Sequence, residues 1–170
     1  MDFFAAVKKR HSYREEFAST PVSDEHIRQI MEAALMAPSG LNMQTTSFIV
    51  VKNAEVRAKI AEILPTAATK TAPVIVVAMS KKVVAHGMCF EVEDYSAAVE
   101  NILLAAVALG YSAVWMDGMT KADRLNEKIA ELLNVPADQT VRTIIPIGVA
   151  AKEIAGPAKM AYEERVTLVE

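Results

Sequence analysis

The chain has 170 residues, enough for one domain with a hydrophobic core of its own. Its net charge of −3 offers no basic footprint for nucleic acid, and its single cysteine excludes an intrachain disulfide and fits a reducing compartment. Apolar residues make up 52% of it and the mean hydropathy is +0.22, oily for a chain with 23% charge, which points to surface hidden against a partner.

Phe3, Phe4 and Val7 sit at helical spacing and predict a short first helix ending in Lys8-Lys9-Arg10. Those early cations follow Asp2 after very few apolar residues, so no signal peptide is expected. Pro21-Val22-Ser23-Asp24-Glu25 predicts a helix start, with Ser23 as N-cap and two acids at the positive end of the dipole. Ile27, Ile30, Met31, Ala34 and Leu35 follow on one face as a buried stripe, and Pro38 with Gly40 stops the helix. Phe48-Ile49-Val50-Val51 predicts a buried strand. Val56, Ile60, Ile63 and Leu64 predict a helix closed by Pro65, and residues 73–79 a second, valine-rich strand.

A long helix is expected over 93–109, with Gly110 as a left-handed cap. Its second half, 102–109, is apolar on every face and belongs in a core or a subunit interface. Residues 112–116 predict a third strand, Asp117-Gly118 a turn, 121–133 a helix, and 140–149 a fourth strand broken by Pro146. Lys121 is expected on the solvent side of its helix. The closing Val166-Thr167-Leu168-Val169 alternates like an edge strand. The longest apolar runs, 72–79 and 102–109, are too short to span a bilayer, so the expected setting is the cytoplasm. The sum is an α+β or α/β domain of four or five strands.

Several segments carry chemistry. Arg10, Ser12 and Arg14 offer guanidinium forks and a hydroxyl suited to phosphate; taken alone they equally read as a solvated basic patch at a helix end. Pro38-Ser39-x-x-Asn42-x-Gln44 offers hydroxyl and amide groups that read the edge of a heterocycle or a polyol, or is simply a helix-ending loop. Trp115-Met116-Asp117-Gly118 lies at a strand end, where a glycine lets a backbone N–H approach a ligand, or forms a plain turn. Lys159 brings a tail cation, with Lys152 and Lys70 as weaker versions. His86, Cys89, Glu91, Glu93 and Asp94 match no zinc spacing, and no metal site is expected. No dinucleotide-fold, P-loop or nucleophile-elbow signature is present.

In order, these segments resemble the FMN-dependent nitroreductase family. The matching pieces are Lys9-Arg10-His11-Ser12-Tyr13-Arg14-x-x-Phe17, Ala37 to Gln44, Phe48 to Val51, Ala72-Pro73-Val74, Glu100 to Ala106 leading to Leu109-Gly110-Tyr111, and Ile145-Pro146-Ile147-Gly148. The resemblance spans nearly the whole chain. It implies an α+β domain, a mixed β-sheet surrounded by helices, in an intertwined homodimer with FMN at the subunit interface. Arg10, His11, Ser12 and Arg14 would then hold the phosphate and ribityl chain from one subunit. Pro38, Ser39, Gly40, Asn42 and Gln44 would come from the other. Asp117 and Gly118 would meet the flavin N5 edge, and Lys159 the phosphate.

The implied activity is ping-pong transfer of two electrons from NADH or NADPH, through flavin, to a nitroaromatic, quinone or similar acceptor, with no catalytic side chain required. The other reading on the same residues is a flavin store, sensor or docking module without reductase activity. Where many members read Gln-Pro-Trp after the asparagine, Gln44-Thr45-Thr46 stands here. The tail keeps only Lys159 where relatives place two cations, and the compact chain implies an open pocket.

Overall fold

A computed structural model describes all of Met1–Glu170. Its helices are α1 (Phe3–Lys9), α2 (Asp24–Leu35), α3 (Ala54–Ile63), α4 (Ala67–Thr71), α5 (Glu91–Ala108), α6 (Asp117–Lys121) and α7 (Leu125–Leu132). Its strands are β1 (Thr46–Val51), β2 (Val74–Lys81), β3 (Ser112–Ala113) and β4 (Gln139–Gly148), in spatial order β1-β2-β4-β3. Every pairing between these strands is antiparallel. The parallel component of the expected mixed sheet comes down to one bridge, Ser12 with Ala113.

Alternation along the sheet explains the layering. Val74, Val76 and Ala78 of β2 join Ile145 and Ile147 of β4 on one face, covered by α2 and α5. Ile75, Val77 and Met79 face the other way, onto Ile60 of α3, Ala68 of α4 and Ile129 of α7. Period-two alternation with both faces apolar is the pattern of a sheet held between helices. The α2 cap is as predicted: Ser23 Oγ accepts from the His26 N–H, and Ile30 and Ala34 are buried. Leu35, counted in the stripe, is the last residue of α2 and is 68% exposed. Gly110 adopts φ 89° at the end of α5, where the Tyr111 N–H bonds the Ala106 carbonyl.

Other expectations need correction. The segment after Pro65 forms α4, closed by a capping box in which Thr66 and Thr69 bond each other's backbone N–H. The helix expected over 121–133 starts earlier, as α6. It breaks where Asp123 and Arg124 take left-handed φ of 47° and 56°, then resumes as α7. Pro146 does not break β4. Its carbonyl accepts from the Val114 N–H, and its missing donor falls on that same side, past the end of β3 at Ala113. Residues 166–169 join no ladder in the single chain and are exposed.

In α5, Ile102, Leu103, Ala106 and Val107 are buried. Leu104, Ala105, Ala108 and Leu109 stay half-exposed, so the all-apolar stretch is only partly covered by its own chain. No helix is long and apolar enough to cross a membrane.

Candidate functional site

The cationic segment is fixed by what lies inside it. Tyr13 and Phe17 are buried against the core, their rings 5.1 Å apart. The Tyr13 N–H bonds the Ala113 carbonyl at 3.0 Å, its hydroxyl donates to the Glu16 carbonyl at 2.7 Å, and the Phe17 N–H donates to Thr71 Oγ1 at 2.9 Å. The Ala18 N–H bonds the Val149 carbonyl and the Ala151 N–H the Glu16 carbonyl, which ties the start of the tail to this segment.

These anchors open a cavity of about 630 Å³ in which Arg10, His11, Ser12 and Arg14 meet Lys159, with Lys8 and Lys9 on its rim. The structure thus brings these five predicted residues to one cavity. Glu100 of α5, not read as part of a site, also lines this cavity, and its carboxylate forms an ion pair with Arg10 Nε at 3.1 Å. Arg10 is therefore aimed before any ligand arrives.

His11 is also held. Its Nδ1 lies 3.0 Å from the Lys9 carbonyl, a contact that requires the hydrogen on Nδ1. Nε2 is then a bare acceptor in the neutral ring, buried without a partner. Such an atom suits a ligand hydroxyl better than a phosphate oxygen. Gly156 permits the tail to close here, since a Cβ at that position would come 2.9 Å from His11 Cβ.

A second cavity of about 280 Å³ is lined by Arg14, Val114, Trp115, Met116, Asp117, Gly118 and Met119. Its walls are mostly apolar, and an added Cβ at Gly118 would meet nothing within 4 Å, so the backbone there is open to a ligand. Asp117 Oδ1 is buried without a partner, while Oδ2 accepts from Lys121 Nζ at 2.9 Å. Lys121 is exposed, as expected of the solvent side of its helix, and also pairs with Asp117. The hydrogen bond to Asp117 raises its pKa above the ordinary lysine value, and desolvation opposes this. Lys152 is raised likewise by its hydrogen bond to Glu15, at 3.0 Å. Raised folded values mean that both ties are whole at neutral pH and are lost only as pH climbs through the lysine range.

The other predicted segment does not reach either cavity. Pro38, Ser39 and Gln44 line a separate space of about 130 Å³ with Thr46, Asp94 and Ala98, and it shares no residue with the other two. Asn42 is exposed, and Gly40 lies under the Phe90 ring. Within one chain the predicted site is therefore in two halves. Lys70 sits exposed in α4. Side chains of His, Cys, Asp and Glu nowhere gather in threes as a metal site would need.

A family model for the nitroreductase family matches residues 7–70 and 64–149. A protein of Methanothermobacter thermautotrophicus strain Delta H, provisionally named NADH dehydrogenase/NAD(P)H nitroreductase, is 37% identical over 153 residues, covering 89% of this chain and 79% of that one. The solved structure of an FMN-dependent nitroreductase from Clostridium difficile R20291 superposes with a TM-score of 0.82 at 27% identity, covering 98% of this chain and 99% of that one. A BluB-like flavoprotein from Clostridium difficile 630 superposes at 0.87 over 100% of both chains; at 23% identity that likeness is one of fold.

Proposed function

This chain belongs to the nitroreductase family, and from that membership we propose that it is an FMN-dependent oxidoreductase drawing electrons from NADH or NADPH. One observation carries the reading. Arg14 lines both the cationic cavity and the apolar one, so the two adjoin at this residue. A ligand with an anionic tail and a flat, largely apolar head fits that junction, and FMN is such a ligand. The orphaned His11 Nε2, on a residue lining the cationic cavity, matches a hydroxyl of a polyol chain.

Bound there, FMN supplies the capacity to take a hydride from the nicotinamide and pass two electrons to a nitroaromatic or quinone acceptor, in alternate halves of one cycle. The chain's own residues bind and orient. Arg10, Ser12 and Lys159 hold the phosphate by charge-assisted hydrogen bonds. His11 accepts from a ribityl hydroxyl. Arg14 brings positive charge to the ring, where it favours the reduced, anionic form. The open backbone at Gly118 would offer an N–H to the flavin ring, with Asp117 beside it at the start of α6. Solvent supplies the proton, so no catalytic side chain is assigned.

Pro38, Ser39, Gly40, Asn42 and Gln44 complete the site from a second copy of the chain. Their separation from the cationic cavity within one chain supports this. So does apolar surface left uncovered: Phe3 and Phe4 on α1, Met36 after α2, and Leu168 and Val169 in the tail are all exposed. Obligate interfaces are built from such surface. Titration of the apoprotein with FMN, followed by sedimentation, tests the arrangement. It should take up one FMN per chain and sediment as a dimer. No uptake, or full occupancy in a monomer, contradicts it.

The control variant is Lys128→Ala. Lys128 is exposed on α7 and makes no ion pair, unlike Lys121. Its FMN dissociation constant should stay within about twofold of wild type, the ordinary scatter of a surface substitution.

A further inference from the structure

Residues 39–45 form a strained loop. Leu41, Asn42 and Gln44 take φ of 52°, 54° and 51°, the left-handed region that residues with a Cβ avoid. Such conformations persist only where the surroundings over-determine them. Here the surroundings are the first turn of α5. Asp94, 3% exposed, accepts from the Gly40 N–H at 2.8 Å through Oδ1 and from Thr45 Oγ1 at 2.7 Å through Oδ2. One carboxylate therefore grips the loop at both ends. Ser39 Oγ adds an inner tie by accepting from the Gln44 N–H at 3.0 Å. The Phe90 ring presses on Gly40 from the turn before.

A buried carboxylate is costly unless its oxygens are bonded, and both of these are. Asp94 is the fourth residue of α5, where the helix dipole favours negative charge. The face of the loop beside it is not finished within the chain. Thr46 Oγ1 is buried without a partner in the small space lined by Ser39, Gln44 and Asp94. Strain, a carboxylate spanning the loop and an orphaned hydroxyl in the same space together describe a surface held ready for a ligand.

We propose that Asp94 is a positioning residue for cofactor binding: it fixes loop 39–45 in the conformation that receives FMN. The inference rests on the FMN reading above and extends it to a residue outside the predicted site. Asp94 touches no cofactor itself; it acts through Gly40 and Thr45.

The test is the FMN dissociation constant of apoprotein carrying Asp94→Ala, Asp94→Asn or Thr45→Val. Asp94→Ala removes both acceptors and should weaken FMN by about tenfold or more. Asp94→Asn keeps an oxygen for the Gly40 N–H and turns an amide toward Thr45 Oγ1, which can accept it, so binding should stay within about threefold of wild type. Thr45→Val removes one tie and should fall between the two; it stands in for Asp94→Ala if that variant does not fold. The proposal is overturned if Asp94→Ala binds as tightly as wild type, if Asp94→Asn falls as far as Asp94→Ala, or if Thr45→Val is unchanged. Wild-type apoprotein that takes up no FMN removes the functional reading and this inference with it. A wild type that binds beside an unaffected Asp94→Ala variant removes this inference alone.

Discussion

Arg10→Ala is expected to weaken FMN binding by about 10- to 100-fold, as for the loss of one or two hydrogen bonds to a charged group. Arg10 lies in the cavity with Ser12, Arg14 and Lys159, and Glu100 already holds its guanidinium at 3.1 Å. Alanine does more than delete a donor. It leaves the Glu100 carboxylate in the same cavity with no partner, facing the incoming phosphate. The double variant Arg10→Ala/Glu100→Gln should therefore recover part of the loss, a coupling that a plain lost contact would not give. Because a ligand that binds only the folded protein stabilises it, the variant should also lose most of the rise in melting temperature expected when FMN is added to wild type. Fluorescence titration and thermal melts with and without FMN read both effects. Full occupancy with unchanged melting would remove Arg10 from the site.

Gly40→Ala should destabilise the fold by about 1–3 kcal/mol, the range for forcing a methyl into packed space. An added Cβ would stand 2.2 Å from Phe90 Cγ and Cδ2 and 2.5 Å from its Cβ. Contact with the Cβ matters most, because a rotation of the ring cannot relieve it. The loop or the first turn of α5 has to shift, and either movement pulls the Gly40 N–H away from Asp94. A lower urea midpoint at unchanged m-value is the expected signature, with FMN binding weakened alongside. Gly118→Ala is the internal contrast: nothing lies within 4 Å of the added atom, so stability should move by no more than about 0.5 kcal/mol.

What the sequence made legible was local. Ser23 and the 27, 30, 31, 34 spacing placed α2, and the valine run placed β2, because caps and periodicity act within a turn or a strand. Arg10, Ser12 and Arg14 were legible by residue type as a candidate phosphate site, since few side chains suit phosphate. What it hid was long-range or a matter of backbone. Asp94 meets Gly40 across 54 residues, and no spacing marks such a pair. Glu100 enters the sequence reading only as the first residue of the segment running to Ala106, and nothing in that spacing marks its ion pair with Arg10. The left-handed turn at Asp123 and Arg124 splits a helix without a glycine to announce it, and Pro146 stays in β4 although it lacks the N–H that would answer Val114, whose own N–H bonds its carbonyl. The closing 166–169 segment alternates like a strand but has no edge in its own chain to join.

The most direct test of the account is anaerobic addition of NADH, and separately of NADPH, to the FMN-loaded protein while its visible spectrum is recorded. The account predicts that the oxidised flavin bands bleach with at least one donor and return when a quinone or nitroaromatic is added. Bands that persist with both nicotinamides would contradict it, and would leave a flavoprotein whose donor or role is something else.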